Sequence, residues 1–241
     1  MNSEVQEITG RLEDVRKRIA RAAARAGRDP EGIRLVGATK GKPAPLVAAG
    51  VRAGIRHIGE NYVQECIPKI METMEILVRE GIPTPCWHFI GKLQRNKARQ
   101  VAPLFDVVET LDRPSLGEAL DRRAEQAGRT LEVLLQTNVS GEPQKGGIEP
   151  ALLPDLLAAS RSWRHLRVVG LMTVPAAVDD PEASREEFAG LRRLRDQLTG
   201  TGGGEALREL SMGMSQDFEV AIEEGATIIR VGTALFGPRE D

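Results

Sequence analysis

Short apolar runs recur along the chain at a steady interval, and each gives way to a polar stretch with helical spacing. The runs are Ile33–Thr39, His57–Gly59, Trp87–Gly91, Phe105–Leu111, Leu131–Val139, Leu166–Val174, Leu210–Met214 and Thr227–Phe236. They are rich in Val, Ile and Leu without strict alternation, as strands covered on both faces should be. Between them the pattern predicts helices near residues 44–53, 62–80, 94–102, 115–127, 149–160, 182–198 and 216–224. Ser115-x-x-Glu118 reads as a capping box opening one helix, and Gly128 and Gly225 fall where helices should stop. Strands alternating with helices imply right-handed crossovers and a parallel sheet. Eight such units in 241 residues fit a single (β/α)8 TIM barrel.

One more helix is predicted ahead of the first strand, within residues 1–27. Ile8, Leu12, Val15 and Ile19 form an apolar stripe through charged neighbours, so the helix is expected to cap one end of the barrel. Its arginines read as a solvated face. No composition shift marks a boundary, and 1–241 reads as one domain with a flexible loop at Thr199–Gly204. The chain stops just past the eighth run, so nothing large is expected to be appended.

Composition narrows the function classes. A formal charge of −2 and a pI near 6.1 argue against a nucleic-acid surface. No apolar run approaches the ~20 residues needed to cross a bilayer. The N-terminal segment lacks the apolar core of a secretory signal, and Glu4, Glu7, Glu13 and Asp14 speak against a transit peptide. A cytoplasmic protein is expected. Cys66 and Cys86 make no disulfide framework and show no metal-ligand spacing, so both are expected to be buried, inert thiols.

In such a barrel, chemistry belongs at the C-terminal ends of the strands. Those ends carry Lys40, Glu60, Asn61, His88 to Gly91, Asp112, Asn138, Met172, Ser211 to Ser215 and Arg230 to Thr233. The last two runs break into small and hydroxyl-bearing residues where a helix should begin, in Leu210-Ser211-Met212-Gly213-Met214-Ser215 and Ile229-Arg230-Val231-Gly232-Thr233. Small residues let backbone N–H groups approach an anion, and helix N-termini attract one. A phosphorylated small molecule is the expected ligand. Lys40 has two readings: a strand-end side chain turning to water, or a Schiff-base lysine whose neutral form is favoured by burial and by nearby charges such as Lys42 and Arg230. Arg230 is either half of a structural ion pair or a ligand group. His88 is either a hydrogen-bonded core histidine or a catalytic one.

Taken together, Thr39-Lys40-x-Lys42-Pro43, Gly59-Glu60-Asn61-Tyr62-Val63-Gln64-Glu65, Trp87-His88-Phe89-Ile90-Gly91-x-Leu93-Gln94-x-Asn96-Lys97, Gly170-Leu171-Met172, Leu210 to Ser215 and Arg230-x-Gly232-Thr233-x-x-Phe236-Gly237 resemble the pyridoxal-phosphate homeostasis protein family. Each motif is weak alone; in order and in register from about residue 30 onward they are specific. The resemblance implies a fold like the barrel domain of alanine racemases, without their second, β-rich domain. It implies pyridoxal 5′-phosphate (PLP) held as an internal aldimine on Lys40. Phosphate contacts would fall on Ser215, Ser211 and the backbone at Gly232 and Thr233. Asn61 would lie beside the cofactor and Arg230 would face the pyridine nitrogen, with His88 and Met172 completing the set. The loop Gln144-Lys145-Gly146-Gly147 departs from the family pattern, which leaves Lys145 without an assigned role.

The residues themselves help to separate a carrier from a catalyst. Most PLP enzymes protonate the ring nitrogen through a carboxylate, whereas an arginine cannot receive that proton. A racemase also needs a base on the far face of its substrate, and the single tyrosine, Tyr62, sits beside Asn61. The resemblance therefore implies a monomeric PLP-binding protein of vitamin B6 homeostasis, buffering the cofactor or delivering it to apo-enzymes. An amino-acid racemase is the alternative, and a phosphosugar enzyme using Lys40 and His88 is a third reading.

Overall fold

In a computed structural model, which describes residues 3–142, 146–176, 179–200 and 207–238, parallel strands close into a barrel in the order β1 to β8. The strands are β1 (Arg34–Ala38), β2 (His57–Glu60), β3 (Cys86–Phe89), β4 (Val107–Leu111), β5 (Leu131–Gln136), β6 (Leu166–Met172), β7 (Glu209–Ser211) and β8 (Ile228–Val231). Closure is direct, with Arg34–Gly37 of β1 registered against Ile228–Val231 of β8. The apolar runs are longer than the strands they contain, because β-barrel strands end where the chain turns into the mouth. The run Thr227–Phe236 splits after Val231, and Thr233–Phe236 forms a separate helical turn.

The outer ring consists of α2 (Ala44–Ala53), α3 (Val63–Arg79), α4 (Ala98–Val101), α5 (Pro114–Gln126), α6 (Leu153–Ser160), α7 (Arg185–Gly200) and α8 (Phe218–Glu223), with α9 (Thr233–Phe236) after β8. The stretches near 94–102 and 149–160 each open with a 3-10 turn, at Arg95–Lys97 and Pro150–Leu152. The capping box does not form. Pro114 takes the first helical position, where its fixed φ suits the turn, and Ser115 is left inside the helix. Gly128 and Gly225 do end their helices, at φ +63° and +103°.

The N-terminal helix α1 (Ser3–Arg25) packs side by side with α2 and α8 instead of lying across the barrel end. Arg18 and Arg25 pair with Glu219 and Glu223 of α8, and the Arg16 guanidinium reaches the carbonyl of Gly54 after α2. The physical reason lies at the other end of the chain. Among the described residues only the single turn α9 follows β8, which leaves the ring without a full helix of its own between α8 and α2. The stripe Val5, Ile8, Leu12, Val15 and Ile19 fills that place, and burial of each side chain stabilises by about 1.5–3 kcal/mol.

Two apolar regions result. The larger lies between sheet and helices, and a smaller one inside the barrel contains Val36, Val107, Leu134, Met172 and Ile228. Alternation along each strand sends every second side chain inward. On β2, β3, β4, β7 and β8 this puts His57, Cys86, His88, Glu109, Ser211 and Arg230 on the interior side. The barrel therefore has a polar column beside its apolar filling.

Candidate cofactor-binding site

A pocket of about 630 Å³ opens at the C-terminal mouth, lined by Lys40, Asn61, Ser215, Arg230, Gly232 and Thr233 among others. That size suits a small-molecule ligand. Six of the expected site residues thus meet in one place, although they come from the ends of β1, β2, β7 and β8. Met172, Ser211 and His88 do not line it. All three are fully buried in the barrel interior beneath the pocket. Met172 packs in the inner apolar layer, while Ser211 and His88 belong to the polar column. Lys145 lies outside the described residues.

Lys40 follows β1, and its ammonium stands 4.6 Å from the centre of the Tyr62 ring. A network outside the barrel fixes the backbone on either side of it. Lys69, from the first half of α3, donates to the carbonyl of Thr39 (2.8 Å), to both carboxylate oxygens of Glu60 and to Glu65. The Thr39 hydroxyl also donates to Glu60, and the N–H of Gly41 donates to Glu65 at 2.8 Å. Lys40 is therefore held between two anchored neighbours. Burial pushes the Glu60 carboxyl above its ordinary value, against the pull of Lys69 and the Thr39 hydroxyl. Lys69 carries no signal in the sequence because it sits within an ordinary amphipathic helix, and Glu65 stands there only as the end of the Gly59–Glu65 motif, with no role assigned.

Arg230 is only 5% exposed and forms the inner wall of the pocket. One nitrogen donates to the Ser211 hydroxyl, another to the carbonyl of Thr173 at 2.8 Å, and Glu109 lies 3.7 Å away. Glu109, wholly buried on β4, accepts from Ser211 at 2.6 Å and from His88 Nδ1 at 2.6 Å. The other ring nitrogen of His88 stands 3.0 Å from His57 Nδ1. A continuous chain thus runs His57–His88–Glu109–Ser211–Arg230 from the floor of the barrel to its mouth. Burial alone would raise the Glu109 carboxyl, but His88, Arg230 and Ser211 outweigh it and hold it below its ordinary value. Both readings of Arg230 are therefore compatible: it faces the pocket while its charge is compensated from behind.

The side expected to meet an anion is built from the turns after the last two strands. Ser215 Oγ accepts from the Gly232 N–H at 3.3 Å, joining the two turns. Asp217 accepts from the Met214 N–H at 2.6 Å and so closes the first turn. Gly213, at φ +92°, makes that turn possible, since a Cβ there would stand 2.6 Å from Ala221 Cβ. At the mouth of β2 and β3, a Cβ on Gly91 would lie 1.9 Å from the Asn61 carbonyl oxygen, so only glycine lets Asn61 occupy its place.

The expectation for the cysteines holds for Cys66, which is buried with its thiol pushed up to about 12. Cys86 is half-buried rather than buried, but burial pushes its thiol up to about 12 as well. It differs in its neighbours, because the β2–β3 register sets it opposite His57 and two residues from His88 on the same strand. That juxtaposition depends on sheet register, which linear spacing does not show.

The column predicts an acid limit to stability. Burial, with His88 and Arg34 nearby, lowers His57 from its ordinary 6.5 to about 4. Between those values the unfolded chain binds a proton that the fold refuses, so stability falls as pH falls through this window. Below 4.5, the ordinary value for Glu109, its depressed carboxyl adds a further loss. Melting temperature should decline between pH 6.5 and 4, and the His57→Gln variant should flatten that part of the curve. An identical decline in the variant would remove His57 from the account.

The match to known proteins agrees with this geometry. Residues 11–240 match the model of the alanine racemase N-terminal domain family. The pyridoxal phosphate homeostasis protein of Aquifex aeolicus is 42% identical over 95% of this chain and 97% of its own length. That of Escherichia coli K12 is 40% identical over 98% of both chains. The structure of PipY from Synechococcus elongatus with PLP bound superposes at a TM-score of 0.79, with 35% identity over 95% of this chain and all of that one. The chain belongs to the alanine racemase N-terminal domain family, a class of (β/α)8 barrels. Within that class it groups with the pyridoxal phosphate homeostasis proteins, whose length it matches nearly end to end.

Proposed function

We propose that this protein binds PLP at the barrel mouth, with Lys40 as the covalent anchor, and serves to hold and release the cofactor without strong catalysis of its own. The observation that carries the reading is the meeting of Lys40, Arg230 and the Ser215–Gly232–Thr233 turns around one pocket. The residues present fit the group. The amine, the cation and the anion-seeking backbone are distinct donor types, and an aldehyde bearing a ring nitrogen and a phosphate needs all three. The first N–H groups of α9, at Thr233 and Ala234, precede any intrahelical acceptor, so they are free to face a phosphate.

Bound PLP supplies an electrophilic aldehyde and an electron-withdrawing ring. The protein's own residues then limit what can be done with it. Arg230 offers donors only and keeps its charge, so it cannot pass a proton to a ring nitrogen set against it. Glu109, the buried carboxylate behind the guanidinium, is engaged with His88 and Ser211, and Asp217, the buried carboxylate in the pocket lining, accepts from the Met214 N–H. Tyr62, the single tyrosine, already rests against Lys40 and so does not supply a base on an opposite face. These features favour a carrier in vitamin B6 homeostasis, with PLP-dependent apo-enzymes as recipients, over an amino-acid racemase. The described residues include no helix long and apolar enough to cross a membrane.

Two measurements test the reading. Deuterium exchange at the α-carbon of alanine and serine, followed by NMR, should stay near background in the PLP-loaded protein. Removing a positioned acid or base typically forfeits 10²–10⁴-fold in rate, so exchange at many turnovers per second would restore the racemase. Ser215→Ala combined with Thr233→Val should weaken PLP binding while leaving the covalent attachment in place. Each hydrogen bond to phosphate contributes about 1.5–3 kcal/mol, and an unchanged dissociation constant would move the phosphate elsewhere.

A further inference from the structure

At the barrel floor, opposite the mouth, His57, Cys86 and His88 point one donor atom each into a common space, all within 4.8 Å of one another. His57 Nδ1 and His88 Nε2 are 3.0 Å apart, and Cys86 Sγ is 3.5 Å from the same His88 nitrogen. We propose that these three side chains form a binding site for a borderline-soft divalent metal of the zinc class, with a fourth position left to solvent. Tetrahedral zinc, with bonds of about 2.0 Å to nitrogen and 2.3 Å to sulfur, sets its ligand atoms roughly 3.3 Å (N···N) and 3.5 Å (N···S) apart. The distance from Cys86 Sγ to His88 Nε2 already agrees. The two imidazoles must separate by a few tenths of an ångström, and His57 Nδ1 and Cys86 Sγ, within 4.8 Å of each other, must settle at the same nitrogen–sulfur spacing.

Three further features support a built site. Cys86 and His88 alternate on β3, so both face the interior, and the parallel register brings His57 of β2 level with Cys86. His88 presents Nε2 to the cluster while Nδ1 lies 2.6 Å from the Glu109 carboxylate. Zinc-bound histidines are commonly oriented by such a carboxylate, which fixes the tautomer and raises the basicity of the ligating nitrogen. An approach route also exists, because His57 lines a second pocket of about 880 Å³ between the start of β1 and α1, together with Arg34, Arg56 and Glu209. The set of one thiolate and two imidazoles disfavours magnesium and calcium, which take oxygen ligands. Metal entry displaces the Cys86 thiol proton to solvent and shifts the His57 proton from Nδ1, where it bridges to His88 Nε2, onto Nε2 through exchange with solvent, so the ion replaces the direct imidazole contact.

The test uses the PLP-carrying protein as purified. Zn²⁺ is titrated in competition with a chromogenic chelator, and X-ray absorption is recorded on the wild-type zinc complex. The expected result is one zinc per chain with one sulfur near 2.3 Å and nitrogen near 2.0 Å, and no competition by Mg²⁺. Cys86→Ser and His57→Gln should each raise the zinc dissociation constant by about 100-fold, the upper end of effects seen even for outer-shell changes. Failure of the wild type to compete for zinc overturns the proposal. So does a bound zinc without sulfur in its shell, or affinity unchanged in both variants. The absorption measurement needs no variant and decides the matter if either substitution unfolds the chain.

Discussion

Lys40→Ala is expected to abolish the yellow absorbance of the PLP-loaded protein and its fixation by borohydride, while the fold persists. The lysine is the amine at the mouth, and the hydrogen-bonding network around it engages the backbone of Thr39 and Gly41, which alanine retains. What the side chain itself loses is its contact with Tyr62, about 0.5–1 kcal/mol at an exposed site. Weak, reversible binding should remain through the Ser215–Gly232–Thr233 turns and Arg230. Peptide mapping after borohydride treatment of the wild type should place the modified residue at Lys40. Label on Lys42 or Lys92, or absorbance retained in the variant, would show that another amine carries the cofactor. Lys42 is a poor competitor on structural grounds, since its ammonium is committed to the carbonyl of Pro238.

Glu109→Ala should be the most destabilising single change in the site. The carboxylate is fully buried, and it compensates Arg230 while accepting from Ser211 and His88. Removing one member of a buried charge pair leaves the other uncompensated and costs about 3–5 kcal/mol. In a protein of this size that corresponds to a fall in melting temperature of roughly 6–20 °C. Replacing Glu109 by glutamine keeps the shape and two hydrogen-bonding atoms but not the charge, and should lie between alanine and wild type. Thermal unfolding followed by circular dichroism measures both. A loss under about 1 kcal/mol for alanine would mean that Arg230 is satisfied by Thr173 and Ser211 alone, and that the column contributes little to placing the guanidinium.

The architecture was largely legible in the chain because parallel barrel strands are covered on both faces and so read as apolar runs. The register of small and hydroxyl residues after β7 and β8 likewise pointed to an anion site, and the folded turns add structural reasons of their own, the positive φ of Gly213 and the Gly232 N–H donating to Ser215. Lys40, Asn61, Ser215, Arg230, Gly232 and Thr233 were among the strand-end residues that position selects, because every parallel strand delivers its last residues to the same end, and the family resemblance singled them out from that longer set. Other features needed the folded molecule. The capping box failed because Pro114 starts its helix first, and α1 entered the ring because the helix after β8 is one turn long; neither competition is visible locally. The sequence could name His88 and Ser211 but not their depth, which places them beneath the pocket as supports for Glu109 and Arg230. Lys69 and Cys86 looked like an ordinary helix residue and a lone thiol. Sheet closure and strand register alone bring Lys69 to Glu60, and Cys86 to His57 and His88. Periodicity along the chain determines which face a side chain takes; the partners waiting on that face come from strands distant in sequence, and only tertiary structure supplies them.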